Sequence, residues 1–321
     1  MKIGITLPQV GPVASKDNVI RMAHMAEEEG VDSLWVFERL LWPINPQTPY
    51  PGTPDGRLPA EYQIMLDPLQ TLAFVSANTN KILLGTCIID MLFHNPVLLS
   101  KSFATLDIFS NGRTVAGFGI GWSKDEYQSS NIPFNDKGKR ADEYLQVLKR
   151  IWEDDNVEFK GQYYNIPLSK IGPKPLQKPH IPIYLGGFSQ NTFSIIVNYD
   201  TNGWLGALGG PIEQIKNIMN TIRENARKAN KDPNNFRVIL LTYPNIIESN
   251  EQNSHISSSS SSSGNNNRFP MTGTIDQIGK DVKEIKDIGV DHIIFGYNFS
   301  SMGKDIDKMI DITKQFSKFA K

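Results

Sequence analysis

The chain has 321 residues, and 33 basic against 34 acidic side chains leave a formal charge of −1. That balance excludes the basic face of a nucleic-acid binder and the polybasic stretch of a protein drawn to anionic lipid. A single cysteine excludes a disulfide framework, and no run reaches the ~18 apolar residues of a membrane span or a signal peptide's apolar stretch, so we expect one cytoplasmic globular domain over 1–321.

Residues 2–7 form a short apolar run halted by Pro8 and read as a buried strand. A helical pattern over 17–30 follows, stopped by Gly30, and a second apolar run at 33–37. Strand, helix and strand in that order start a parallel sheet. Further strands are expected at 82–89, 114–118, 183–186, 203–205, 236–247 and 292–295. Helices are expected at 68–78, 96–109, 139–152, 191–198, 211–230, 275–288 and 304–319, with a hairpin around 157–166. Eight strands, each followed by a helix, predict a closed (β/α)8 barrel, the TIM-barrel architecture. The alternative, an open doubly wound sheet, lacks its G-x-G-x-x-G turn after the first strand.

Two segments interrupt the repeat. Residues 40–66 are Pro-rich and follow strand two, so they are expected to lie over the barrel mouth as a lid. Residues 250–267 carry seven consecutive serines and read as a disordered insertion without a chemical role.

Barrel chemistry sits just past the C-terminal ends of the strands. The residues there are Pro8; Glu38 and Arg39; Asp90 and His94; Gly119, Gly121, Trp122 and Glu126; Leu185, Gly186, Gly187 and Ser189; and Tyr297 with Asn298. None of the five histidines has another at metal-ligand spacing, and no carboxylate cluster gives a facial triad, so no metal site is expected. There is no G-x-S-x-G elbow, and Cys87 falls inside a strand. His94 is the histidine best placed at the mouth, where a helix-capping role and a catalytic one both remain open. The GGFS run at 186–189 leaves a strand and enters a helix, a place where backbone N–H groups can meet a phosphate. The alternating glycines of GFGIGW at 117–122 suggest a flat slot walled by Trp122, or a strand thinned for packing.

These segments, taken together, resemble a known family. KIGITLP at 2–8, AEEEGVDSLWV at 26–36, ILLGTCI at 82–88, NPVLLSK at 95–101, TLDIFSNGR at 105–113, GFGIGWSKDE at 117–126, RADEYL at 140–145 and IYLGG at 183–187 are similar, in order, to the bacterial luciferase-like superfamily. Within it the chain resembles the branch that uses the deazaflavin coenzyme F420. The resemblance implies a luciferase-like TIM barrel, often a homodimer, with F420, or alternatively FMN, lying across the mouth. It implies a non-prolyl cis peptide near Cys87–Ile88 under the ring and the cofactor's phosphate at Gly186 and Gly187. Pro8, Cys87, Ile88, Gly119, Gly121, Trp122, Leu185 and Ser189 complete the implied cofactor surface. Trp42, Tyr50 and His94 are candidate walls for a small-molecule substrate.

One departure stands out. Many deazaflavin members end strand two with Asp-His, whereas this chain has Glu38-Arg39. Arginine cannot practically lose a proton. Arg39 is therefore expected to orient an anionic substrate or stabilise ring charge, with Glu38 as its partner or as a general acid. Glu38, Arg39 and Glu126 are the candidate catalytic residues. The function expected is hydride transfer between the deazaflavin C5 and an organic substrate, with an FMN-dependent monooxygenase or a non-catalytic cofactor-binding member as alternatives.

Overall fold

A computed structural model describes residues 1–247, 268–297 and 300–320. The Ser-rich insertion expected at 250–267 and Asn298 lie outside the described residues. The strands are β1 (Lys2–Thr6), β2 (Ser33–Val36), β3 (Leu83–Thr86), β4 (Ile89–Asp90), β5 (Thr114–Gly119), β6 (Val157–Lys160), β7 (Asn165–Ser169), β8 (Ile183–Gly186), β9 (Gly203–Ala207), β10 (Arg237–Thr242), β11 (Asn245–Ile246), β12 (Thr272–Gly273) and β13 (His292–Phe295). The helices are α1 (Lys16–Glu28), α2 (Pro68–Ser76), α3 (Pro96–Phe109), α4 (Lys124–Ser129), α5 (Lys137–Glu153), α6 (Gln190–Asn198), α7 (Ile212–Lys228), α8 (Ile275–Asp287) and α9 (Ile306–Phe316).

Parallel pairing runs β3-β2-β1-β13-β10-β9-β8-β5-β4, and β3 also pairs with β5, which closes the ring. With β3 and β4 as two halves of one interrupted strand, this is an eight-stranded (β/α)8 barrel. The expected strand at 82–89 thus divides, and the peptide bond at the division, Cys87–Ile88, is cis. The expected strand at 236–247 also divides: Pro244 follows Tyr243 and cannot donate to a ladder, so β10 stops at Thr242 and β11 pairs with β12 instead. The helix α4 has no counterpart among the expectations, because six residues are too few to show a helical period.

Strand alternation sorts the core into two layers. Leu34 and Val36 face the helices, while Trp35 and Phe37 fill the barrel with Val115, Leu205, Ile239, Leu241 and Ile294. The loops at the mouth end on helix caps. Asp67 accepts from Gln70 N–H, Asn95 from Val97 N–H, and Ser189 from Thr192 N–H. Pro68 and Pro96 then occupy first helical positions, where the missing N–H costs nothing. These caps fix where each rim loop ends, and so where its side chains stand.

Candidate active site

The rim beyond β2, β4 and β5 gathers five ionisable side chains. Glu38 Oε1 lies 2.7 Å from His94 Nε2, and its other oxygen accepts from the Asp90 backbone N–H at 2.9 Å. Arg39 Nη1 donates to Glu126 Oε2 at 2.5 Å, and Glu126 Oε1 accepts from Leu40 N–H at 2.9 Å. The carboxylates are buried: the Glu38 side chain is 6% exposed and that of Glu126 2%. Asp90 is buried beside them and accepts from Gly121 N–H at 2.8 Å.

This arrangement corrects three expectations. Glu38 is not the partner of Arg39; each takes a partner from another rim. Nor does His94 cap the following helix, since Asn95 does. Arg39 is also not poised to receive an anionic substrate. Its charge is committed to Glu126, and its guanidinium lies over the Trp122 ring, 5.0 Å from the centroid.

Crowding of carboxylates shifts their protonation. Burial, reinforced by the charge of Glu38, pushes Asp90 up to about 7. Burial likewise raises Glu126, against the opposing pull of Arg39. For His94, burial pulls downward, but the hydrogen bond and charge of Glu38 outweigh it and the imidazole is raised overall. A carboxylate accepting at Nε2 means that nitrogen carries a hydrogen, which leaves Nδ1 to take or give the second proton. The His94 side chain is 31% exposed. Asp90 did not figure among the site residues expected from sequence, although its place at a strand end was the available signal.

The 40–66 loop packs against this rim. Trp42 Nε1 donates to the carbonyls of Leu58 and Pro59, Gln47 bonds to Asp125 and Gln128, and Lys124 N–H donates to Thr48 Oγ1. Tyr50 packs 5.4 Å from Trp122 and 6.1 Å from Tyr62. Trp42, Tyr50, Leu58 and Tyr243 pack on the interior cluster that holds Cys87, with Ile88 beside them. The space left between lid, Arg39 and Trp122 is only ≈ 10 Å³, the size of one water.

Two features bear on a cofactor. Gly187 has φ +125°, and a Cβ there would lie 2.9 Å from Thr192 Oγ1, so only glycine leaves the backbone bare where β8 meets the α6 N-terminus. The N–H groups of a helix's first turn have no intrahelical partners, which suits a phosphate. The cradle fits the expected phosphate. The slot suggested by GFGIGW is not there. A Cβ on Gly119 would meet Ile88 Cδ1 at 2.1 Å and Asp90 Oδ1 at 2.6 Å, so the neighbouring strand fills that strip and the thinning serves packing.

The chain belongs to the luciferase-like monooxygenase family, whose model matches residues 1–257. An F420-dependent glucose-6-phosphate dehydrogenase of Amycolatopsis mediterranei is 26% identical, over 92% of this chain and 92% of its own length. An FMNH2-dependent dimethylsulfone monooxygenase of Pseudomonas putida is 33% identical, over 41% of this chain and 37% of its own. Uncharacterised mycobacterial relatives match at 34% identity, and the chain spans 65% of their length. The monooxygenase RslO1 of Streptomyces bottropensis shares the fold, with a TM-score of 0.78 over 99% of this chain and 98% of its own at 21% identity. The family therefore holds both F420-dependent and FMN-dependent oxidoreductases, and the resemblance to its F420 branch stands. No helix among the described residues is long and apolar enough to cross a membrane.

Proposed function

We propose that the protein is a cytoplasmic, F420-dependent oxidoreductase transferring a hydride between the deazaflavin C5 and a small organic substrate at the barrel mouth. The observation that carries this reading is the Glu38–His94 pair. It restores, from the rim of β4, the proton-handling imidazole that Arg39 displaces at the end of β2. The near-full-length similarity to an F420-dependent relative supports the choice of cofactor. Gly186, Gly187, Ser189 and the α6 N-terminus would hold the phosphate, and Cys87 and Ile88 would back the ring. Bound there, a deazaflavin supplies a two-electron hydride donor or acceptor.

The protein's own work is positioning and proton transfer. Glu38 orients His94 and keeps its Nε2 protonated, so Nδ1 takes a hydroxyl proton in oxidation and returns it in reduction. The Arg39–Glu126 pair fixes the start of the lid through Leu40 N–H. The lid excludes water. The exposed apolar side chains Phe74 of α2 and Leu98 and Phe109 of α3 support a homodimer that covers them.

Titrating the purified protein with F420 and with FMN tests the reading. F420 is expected to be retained, and Gly187→Val to weaken it more than about tenfold. Tight FMN binding without F420 binding would overturn the cofactor assignment in favour of a flavin monooxygenase, for which the Pseudomonas relative speaks. F420 binding with no turnover on any substrate would leave a cofactor-binding member only.

A further inference from the structure

We propose, on the phosphate assignment made above, that Trp204 is a positioning residue for the coenzyme: its indole holds the Gly187 carbonyl back and so turns the Phe188 N–H toward the phosphate.

Two glycines and a tryptophan on neighbouring strands set this up. Trp204 stands on β9 opposite Leu185 of β8, and it is wholly buried. Gly206 lies two residues nearer the mouth on the same face of β9. A Cβ there would lie 2.3 Å from Cη2 and Cζ2 of the indole, so the bare glycine lets the ring lie along the strand toward the rim. Phe193 of α6 and Phe188 meet that ring at near right angles, with centroids 6.3 and 5.7 Å away. Wedged between strand and helix, Trp204 Nε1 donates to the Gly187 carbonyl at 2.8 Å.

That bond decides which way a peptide faces. Gly187 has φ +125°, and without a Cβ it can turn its carbonyl to either side at little cost. A carbonyl turned outward would meet the phosphate with its own partial negative charge. Held on a buried indole, it points into the protein. The Gly187–Phe188 peptide is trans, so the Phe188 N–H points the opposite way, out of the core. Among the described residues no protein group accepts from the N–H of Phe188 or of Ser189. An indole N–H only donates, so the ring stabilises this orientation and has nothing to offer the flipped one.

Titration of the full chain with whichever of F420 or FMN it retains tests this, set beside the dephosphorylated chromophore of the same coenzyme (riboflavin in the case of FMN). Trp204→Phe keeps an aromatic ring and removes the donor. It is expected to weaken binding of the coenzyme about tenfold and of the chromophore by less than about twofold. Equal weakening of both would mark a packing role and overturn the proposal, as would unchanged affinity for the coenzyme. A second measurement uses the wild-type chain. Hydrogen exchange at the Phe188 amide should slow at least about tenfold when the coenzyme binds and stay as it was with the chromophore alone. An amide that exchanges as fast in the complex would contradict the assignment, whether or not Trp204→Phe folds. Both coenzymes carry a phosphate, so tight FMN binding without F420 binding would overturn the cofactor assignment and leave the role of Trp204 standing.

Discussion

Two histidines sit at opposite ends of the same barrel in opposite chemical states. At the floor, His292 is 5% exposed and its Nε2 lies 2.7 Å from Ser33 Oγ, which also accepts from Trp35 Nε1 at 2.6 Å. The Ser33 hydroxyl, with one hydrogen and two lone pairs, pairs with His292 in either neutral tautomer of the ring while it accepts from the indole. Burial, with Lys2 nearby, pushes this imidazole down to about 3. At the rim, His94 meets a carboxylate instead of a hydroxyl, and its imidazole is raised. Burial disfavours the charged ring in both places; at the rim carboxylates outweigh it, whereas at the floor the positive charges of Lys2 and the N-terminus add to it. The floor is therefore a neutral packed layer, and the rim is where protons can move.

Replacing the partner breaks the contrast most severely. Glu38→Gln removes the charge that holds His94 up and should lower turnover by about 10²-fold or more, the usual range for general acid–base catalysis. Steady-state rates check this, with circular dichroism to confirm the fold. Arg39→Ala leaves Glu126 buried without its cation and should destabilise the protein by about 3–5 kcal/mol in denaturant unfolding. Adding Glu126→Gln should recover most of that loss. At the floor, Ser33→Ala strands two buried nitrogens and should cost about 1–3 kcal/mol while leaving kcat unchanged. A fall in kcat comparable to that of Glu38→Gln would erase the distinction between the two ends.

The smallest effect is the most diagnostic of the carboxyl cluster. Asp90 titrates near 7 in the folded chain, above its unfolded value, so the folded state binds the extra proton. Its contribution to stability is fully present below the unfolded pKa and is lost as pH rises through about 7. Asp90→Asn should therefore flatten the decline in melting temperature across that window. An unchanged slope would show that Asp90 does not hold the proton.

The barrel was legible in the sequence because alternating apolar runs and helical patterns survive without tertiary information. The resemblance also pointed to Cys87–Ile88 and Gly186–Gly187, where the cis peptide and the positive φ are found. The pairing at the rim was not legible. Glu38 and His94 are 56 residues apart, and Arg39 and Glu126 are 87 apart; nothing local says that each will reach past its neighbour. Closure of the sheet puts the ends of β2, β4 and β5 side by side, and that geometry chooses the partners. The GFGIGW strip misled for the same reason, since the side chains that fill it come from another strand.

The most direct test of the account is a histidine titration followed by nitrogen-15 NMR, with His94 and His292 assigned by substitution. His94 is expected to titrate above its ordinary value of about 6.5 and to drop when Glu38 becomes Gln, while His292 stays neutral down to about 3. A His94 that titrates below its ordinary value, or that ignores the Glu38 substitution, would contradict it.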